Sequence, residues 1–153
     1  MRILGIDPGT GIVGFGVIDA DGMKKTMVDA GVIRTPAHQP PHERLLTIFN
    51  EITEIIALNK PQVMVVEQLF FAKNVTTAMT VSQARGVILL AGEQAGLAIA
   101  EFTPLQIKQT LTGYGKAEKK QVQEMVRIQL KLKDVPQPDD CADALAAALT
   151  YAP

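Results

Sequence analysis

Two short apolar runs that each end in a carboxylate limit most strongly what this chain can fold into. Residues 3–6 lead into Asp7, and residues 63–66 lead into Glu67. Such runs, apolar nearly throughout, are typical of central strands in a parallel sheet that is covered on both faces. The carboxyl ends of parallel strands meet at one edge of the sheet, where functional residues gather. The sequence therefore predicts that Asp7 and Glu67 lie at that edge.

The rest of the chain predicts the element order β-β-β-α-β-α-β-α-α-α in a single domain of residues 1–153. Strands are expected at 2–7, 13–19, 25–34, from after Pro61 to 67, and at 97–102, with an Asp-Gly hairpin signal at 21–22. Helices are expected around 45–56, at 75–94, after an N-cap at Thr103, at 117–131, and at 139–151 with Asp139 as N-cap. We therefore expect an α/β fold with a mixed five-stranded sheet and helices on both faces.

Composition excludes several classes of protein. The chain has 153 residues, of which 47% are apolar, so it is not disordered. No apolar stretch reaches the roughly 20 residues that a membrane span needs, and the N-terminus lacks the pattern of a signal peptide. The single cysteine, Cys141, cannot form an internal disulfide, which suits a reducing compartment. We expect a cytoplasmic protein that does not contact a membrane.

A third acidic site, at Asp140 and Asp143, suggests that the acidic residues bind metal. Their spacing of three places both side chains on one face of the predicted last helix. A carboxylate at the end of a buried strand is costly to desolvate unless a cation or hydrogen-bond donors meet it, and Mg²⁺ prefers carboxylate oxygens. A helix cap or a surface ion pair would explain each site singly. Together with the glycine-rich turn after Asp7, they favour a metal site suited to phosphodiester hydrolysis.

The net charge of −1 conceals a basic stretch in the last third of the chain. The basic residues there are Lys108, Lys116, Lys119, Lys120, Arg127, Lys131 and Lys133, opposed by Glu118, Glu124 and Asp134. If a metal site neutralises four acidic residues, the remaining surface is more basic than the formal charge indicates. A solvated helix face explains the stretch equally well on charge alone.

Seven motifs, in order along nearly the whole chain, resemble those of the RuvC family of bacterial Holliday-junction resolvases. They are ILGIDPGT at 3–10, VEQ at 66–68, FAKN at 71–74, QARG at 83–86, QIKQT at 106–110, GKAEK at 115–119 and DCADAL at 140–145. The resemblance implies an RNase H-like fold and a homodimer that makes paired nicks in four-way junction DNA during recombination and repair. It also implies two Mg²⁺ ions per active site, with Mn²⁺ able to replace them, and the branch-migration complex RuvA–RuvB as a partner.

The resemblance further implies roles for single residues. The metal-binding catalytic carboxylates would be Asp7, Glu67, Asp140 and Asp143, because the D-x-x-D motif of the family selects Asp140 over Asp139. Lys119 and Lys108 match family lysines that face the scissile phosphate. Phe70 matches a phenylalanine that stacks on unpaired bases, although a core position is the plainer reading of a Phe pair. Further DNA contacts are expected at Lys73, Asn74, Arg85 and Lys116.

The helix predicted at 75–94 is apolar around most of its circumference, so it must be buried on more than one side. One side can cover the sheet and the other can meet a second subunit, as a two-fold dimer on a near-symmetric junction requires. Three alternatives remain: an actin-like ATPase with a similar phosphate loop, a YqgF-like nuclease with a similar first motif, and a junction-binding protein without catalysis. The ATPases need two such domains, and the basic region and the last D-x-x-D motif disfavour the second alternative.

Overall fold

The computed structural model describes residues 1–68 and 74–152, and its five strands form one mixed sheet. The strands are β1 (Arg2–Asp7), β2 (Ile12–Asp21), β3 (Lys24–Arg34), β4 (Val63–Glu67) and β5 (Ala98–Phe102). They lie in the order β3-β2-β1-β4-β5. The pairs β1–β2 and β2–β3 are antiparallel, and β1–β4 and β4–β5 are parallel. This arrangement confirms the mixed sheet, with its antiparallel strands on one side.

Five helices in the described ranges cover both faces of the sheet, as predicted. They are α1 (Pro41–Asn59), α2 (Val75–Gln94), α3 (Pro104–Thr112), α4 (Lys119–Gln129) and α5 (Asp139–Tyr151). Helices α1 and α2 pack on one face, and α3, α4 and α5 pack on the other. None of the helices within residues 1–68 and 74–152 has the length and hydropathy that crossing a membrane requires.

The alternation of side chains along the central strands explains the two cores. Ile3 and Val65 are buried against α3, α4 and α5, whereas Leu4 and Val66 are buried against α1 and α2. Because successive side chains in a strand point to opposite faces, a strand that is apolar throughout must be covered twice. The same alternation places the side chain of Asp7 on the α5 face, two residues beyond Gly5.

Two strand glycines allow α5 to lie unusually close to the sheet. A β-carbon on Gly5 would lie 2.0 Å from the carbonyl oxygen of Ala144, and one on Gly14 would lie 2.1 Å from that of Asp140. Any side chain at these positions would therefore push the helix away from the sheet. Gly14 is also the strand partner of Asp7, so this close contact brings the start of α5 to the end of β1.

The predicted helix starts are confirmed for α3 and need correction for α4 and α5. Thr103 and Gln106 form the expected reciprocal cap: Gln106 N–H donates to Thr103 Oγ1 at 3.1 Å, and Thr103 N–H donates to Gln106 Oε1 at 2.9 Å. Helix α4 begins at Lys119 rather than residue 117, because the N–H of residue 117 closes a turn onto the carbonyl of Tyr114.

The prediction that Asp139 caps α5 was wrong. The N-cap of this helix is Pro138, without a side-chain cap, and Asp139 is the first helical residue. Its carboxylate instead accepts a hydrogen bond from the side chain of Gln123 and pairs with Lys119, both on α4. A side chain held by a neighbouring helix is not free to turn back onto its own helix end.

Candidate active site

Four carboxylates from three elements converge at the carboxyl edge of the parallel strands. Ile6 on β1 is paired with Val66 on β4, so Asp7 and Glu67 follow side by side at the strand ends. Alternation turns both side chains toward α5. The charges of Asp140 and Asp143, from the first turns of α5, act on the Asp7 carboxyl together with that of Glu67. The structure thus brings together the four acidic residues that the sequence predicted as ligands.

Burial and mutual repulsion make this edge a poor place for negative charge. Burial, followed by the charges of Glu67, Asp143 and Asp140, raises the pKa of Asp7 to about 8. Burial and the charge of Asp143 raise the pKa of Glu67 to about 7. The pKa of Asp143 is also raised, mainly by burial and against the opposing effect of Lys119. At neutral pH the cluster therefore favours binding of protons or other cations.

The structure distinguishes Asp140 from Asp139, which the spacing alone did not. The backbone of Asp140 lies against Gly14, beside the end of β1, and its charge raises the pKa of Asp7. The charges of both Asp139 and Asp140 raise the pKa of Asp143, so the effect on Asp7 is what separates them. Asp139 lies on the other side of the helix start, where it meets Lys119 and Gln123. Asp140, and not Asp139, therefore completes the group that contains Asp7.

The chemistry of these residues fits a hard divalent cation. All four side chains offer carboxylate oxygens, the ligands that Mg²⁺ and Mn²⁺ prefer. Among the described residues, however, no three acidic, His or Cys side chains stand close enough to enclose an ion as they are. Like charges on the carboxylates repel one another, and Lys119 donates a hydrogen bond to Asp143. Binding of a cation would remove the repulsion and would compete with that hydrogen bond.

Two lysines lie beside the carboxylates in a cleft of about 250 Å³. Its lining includes Lys108 from α3, Lys119 from α4, Glu67 and Asp143. Lys119 Nζ lies 3.0 Å from Asp143 Oδ2 and 3.4 Å from Asp139 Oδ2. Burial alone would lower the pKa of Lys119, but its hydrogen bonds with the two aspartates raise it overall. Both predicted phosphate-facing lysines thus border the acidic edge.

The other predicted DNA contacts are placed differently. Arg85, on α2, borders a second cleft with Asp7 and Glu67, but its guanidinium pairs with Glu101. Asn74 is the N-cap of α2, and its side chain accepts a hydrogen bond from Thr77 N–H at 3.3 Å. Lys116 is exposed in the loop before α4. The predicted roles of Phe70 and Lys73 lie outside the described residues.

Sequence analysis missed three residues near the site: Glu101, Gln123 and Asp139 as a partner of Lys119. Glu101 had a detectable signal, because it is a charged residue inside a strand and is paired in register with the buried Val66. Gln123 gave no such signal. It lies one turn after Lys119 among polar residues of α4, a pattern that is typical of a solvent-exposed helix face.

The raised pKa values predict how stability depends on pH. The folded state holds the protons of Asp7 and Glu67 more tightly than the unfolded chain, where these groups titrate near 3.8 and 4.5. Stability of the metal-free protein is therefore greatest at pH values below the ordinary pKa values of 3.8 and 4.5. It is lost as the pH rises through the folded-state pKa of Glu67, about 7, and that of Asp7, about 8. Each kcal/mol of stability lost between about pH 5 and pH 8.5 should lower the Tm by roughly 2–4 °C.

This fall can be measured by thermal unfolding followed by circular dichroism in the presence of a chelator. The matched control is the Asp7→Asn, Glu67→Gln double variant, which should show little of the fall. Asp19 does not interfere with this measurement. Its hydrogen bond with Arg2 lowers its pKa, so the stability that Asp19 contributes is fully present above its ordinary pKa of 3.8 and does not change between about pH 5 and pH 8.5. Wild-type and double-variant profiles with the same slope would contradict the assignment.

Comparisons with known proteins agree with this geometry. The model of the family described as crossover junction endodeoxyribonuclease RuvC matches residues 3–151. A protein of Brevibacillus brevis named crossover junction endodeoxyribonuclease RuvC is 57% identical over 152 residues, which cover 99% of this chain and 92% of the relative.

Two solved structures of Thermus thermophilus RuvC superpose closely on this chain. The first has a TM-score of 0.92 at 37% identity and covers 99% of this chain and 93% of the Thermus chain. The second, in complex with a Holliday junction substrate, has a TM-score of 0.91 at 35% identity and covers 99% and 92%. These similarities confirm the RNase H-like fold that the motifs predicted.

Proposed function

The chain belongs to the RuvC family of crossover junction endodeoxyribonucleases, and on that premise we propose that it resolves four-way DNA junctions by paired nicks in strands of like polarity. One observation supports this most directly: four carboxylates meet at one sheet edge, beside a cleft that also exposes Lys108 and Lys119. Acidic ligands for a cation and basic contacts for phosphate are the two components that metal-dependent phosphodiester hydrolysis requires.

We propose that Asp7, Glu67, Asp140 and Asp143 hold two divalent cations, Mg²⁺ or Mn²⁺. Bound there, the cations would activate the attacking water and stabilise the charge on the leaving oxygen. The high pKa values of Asp7 and Glu67 support this role, because a divalent charge relieves the repulsion that raises them. The buried glycine contacts of α5 hold two of the four ligands at a fixed distance from the sheet.

The lysines would position the substrate and neutralise phosphate charge. Lys108 and Lys119 enter the cleft from two different helices, so a phosphate placed near Glu67 would be contacted from two directions. The Thermus relative has been solved with a Holliday junction substrate, and a similar cleft in this chain would accept the same kind of DNA. We propose further contacts from Phe70, Lys73, Asn74, Arg85 and Lys116.

The decisive test measures nicking of a synthetic four-way junction in parallel with linear duplex of the same sequence and with ATP hydrolysis. We expect cleavage of the junction alone, dependent on Mg²⁺ or Mn²⁺ and abolished by chelation, at symmetric positions in two opposite strands. ATP hydrolysis would favour the actin-like alternative. Junction binding without cleavage under either metal would favour a binding protein, and equal cutting of linear duplex would contradict junction selectivity.

We also propose that the protein acts as a homodimer through α2. Val75, Met79, Ser82, Gly86 and Leu90 follow one another at helical spacing on one face of this helix, and all five are exposed. Val75 is 66%, Met79 62% and Leu90 58% exposed, which is unusual for apolar residues at such spacing. A dimer across this face would give the two active sites that paired nicking requires.

Gly86 supports a close helix contact at the centre of this stripe. Within a helix, glycine is about 1 kcal/mol less favourable than alanine, and a β-carbon there would meet nothing within 4 Å in the described chain. No contact with residues 1–68 or 74–152 therefore explains the glycine. A second α2 helix packed against it does, because a residue without a side chain allows two helices to approach closely.

We predict that Gly86→Ala makes the isolated chain more stable and the dimer weaker. The unfolding free energy per chain should rise by up to about 1 kcal/mol, while the dimer dissociation constant rises at least tenfold because each β-carbon separates the helices. Sedimentation equilibrium at micromolar concentration measures the second effect. Leu58→Ala on α1, exposed outside this stripe, is the control. A wild-type monomer even with junction bound, or an unchanged dimer in the variant, would contradict the α2 interface.

Two further proposals follow from the family rather than from the geometry. The protein would act in the cytoplasm, where the chromosomal junctions are, and it would work with the branch-migration complex RuvA–RuvB. Co-sedimentation of the three proteins on a four-way junction tests the second proposal.

A further inference from the structure

Lys119 lies between two aspartates of α5, only one of which belongs to the proposed ligand set. Its ammonium is 3.0 Å from Asp143 Oδ2 and 3.4 Å from Asp139 Oδ2. The other oxygen of Asp139, Oδ1, accepts a hydrogen bond from Gln123 Nε2 at 3.2 Å. Lys119 and Gln123 are one turn apart on α4. Asp139 is therefore held by α4 at one oxygen while the other faces the lysine.

This arrangement matters because Asp143 has two competing uses. As a proposed ligand it must direct oxygen toward a divalent cation, yet one of its oxygens accepts a hydrogen bond from Lys119. A cation at Asp143 would also repel the nearby ammonium. Metal binding must therefore weaken the bond between Lys119 and Asp143. A lysine without another partner would then lose its defined position beside the cleft.

We infer that Asp139 is a positioning residue that retains Lys119 when Asp143 turns to the metal. This inference rests on the proposed function. The distances support it. The ammonium of Lys119 is 3.0 Å from Asp143 and already 3.4 Å from Asp139, so a shift of less than about 1 Å would bring it into full hydrogen-bond contact with Asp139. Gln123 contributes by fixing the Asp139 carboxylate in place, so that the lysine remains at the cleft rather than rotating into solvent.

A purely structural role for Asp139 would have different consequences. Asp139 and Lys119 side chains are each 53% exposed, and ion pairs with such exposure contribute little to stability. The charge of Asp139 contributes to the raised pKa of Asp143, whereas it is the charge of Asp140 that acts on Asp7. Removing Asp139 should therefore leave the fold intact while changing metal binding and cleavage through Lys119.

The test is a double-mutant cycle that uses Mn²⁺ binding to the junction-free protein, measured by electron paramagnetic resonance. Asp139→Ala should weaken Mn²⁺ binding by roughly three- to tenfold, because the displaced lysine has no second partner. Lys119→Ala should strengthen Mn²⁺ binding, because Asp143 loses its competitor. In the Lys119→Ala background, Asp139→Ala should then have almost no effect. Asp134→Asn, the loss of an exposed acidic residue elsewhere, is the control for net charge.

Cleavage provides the second readout. On saturating junction and metal, Asp139→Ala should lower the single-turnover rate by about three- to tenfold, and Gln123→Ala should lower it less and in the same direction. If Asp139→Ala weakened Mn²⁺ binding equally in the wild-type and Lys119→Ala backgrounds, Asp139 would act on the metal directly. If it had no effect in either background, Asp139 would be a surface residue without a role in metal binding. Either result overturns the inference alone. A wild-type protein that binds no Mn²⁺ or cuts no junction would overturn the proposed function itself.

Discussion

Replacing Asp7 by asparagine should abolish cleavage of four-way junctions while junction binding is retained or becomes tighter. Asparagine keeps the size of the side chain and one oxygen, but it removes the charge that a hard cation requires. Asp7 is the carboxylate on which the charges of the other three act together, so its loss should disrupt the whole ligand set. We expect a rate below about a thousandth of wild type, a larger effect than loss of one preorganised hydrogen-bond donor produces.

Binding should not fall with the rate, because DNA affinity depends mainly on neutralised phosphates. The variant has one fewer negative charge next to the backbone of the substrate. It should also be more stable than wild type without metal near pH 8, since burial raises the pKa of Asp7 to about 8 and the charged form destabilises the fold. Loss of activity with gained stability separates a ligand role from simple unfolding.

The measurements are single-turnover cleavage under Mg²⁺ and Mn²⁺, junction affinity by fluorescence anisotropy in the absence of metal, and thermal unfolding. Asp21→Asn, at the exposed end of β2, is the matched control and should behave as wild type in all three. Substantial Mg²⁺-dependent nicking by Asp7→Asn would remove Asp7 from the active site. Parallel losses of stability, binding and cleavage would instead indicate a structural carboxylate.

The acidic edge was predictable because it follows from local rules. Asp7 and Glu67 each end an apolar run, and strands that are buried on both faces pair in parallel with their ends together. The period of two along the strands then decides that both side chains face the same layer of helices. The order of elements followed in the same way from apolar spacing, turn residues and the cap at Thr103.

What the sequence could not predict depends on contacts between residues far apart in the chain. Gly5 and Gly14 indicate close approach, but only the fold shows that α5 is the element that approaches. Asp139 is a good helix cap by its residue type, yet its side chain is held by α4, whose residues lie 16 and 20 positions earlier. The pairing of Arg85 with Glu101 is of the same kind, because it joins α2 to β5 across one face of the sheet.

Lys119→Ala should lower the cleavage rate on saturating junction by roughly a hundredfold, which corresponds to about 2.7 kcal/mol of transition-state stabilisation. Lys119 is the first residue of α4. A cation at this position is opposed by the helix dipole, and the lysine is placed there against that preference. In the free protein, Asp139 and Asp143 offset this unfavourable interaction by pairing with the ammonium. In the complex, the phosphate in the adjoining cleft would take over part of that role.

The size of the effect depends on when the ammonium contacts the phosphate. If Lys119 stabilises charge that develops during the reaction, its loss lowers the rate at saturation and changes affinity little. If it only contacts a phosphate in the ground state, its loss weakens binding and reduces the salt slope by about one unit, with no change in the rate at saturation. Lys119→Ala also frees Asp143, so metal must be saturating for the comparison to be valid.

The experiment therefore measures single-turnover rates over a range of junction concentrations at two Mg²⁺ concentrations. Lys120→Ala is the matched control, because Lys120 is the next residue on α4, is exposed, and lies at a different cleft with Gln121 and Glu124. We expect Lys120→Ala to alter only the salt-dependent binding. A Lys119→Ala protein that cuts at the wild-type rate once junction and metal are saturating would demote this lysine to a positioning contact. The proposed compensation by Asp139 would then lose its functional purpose.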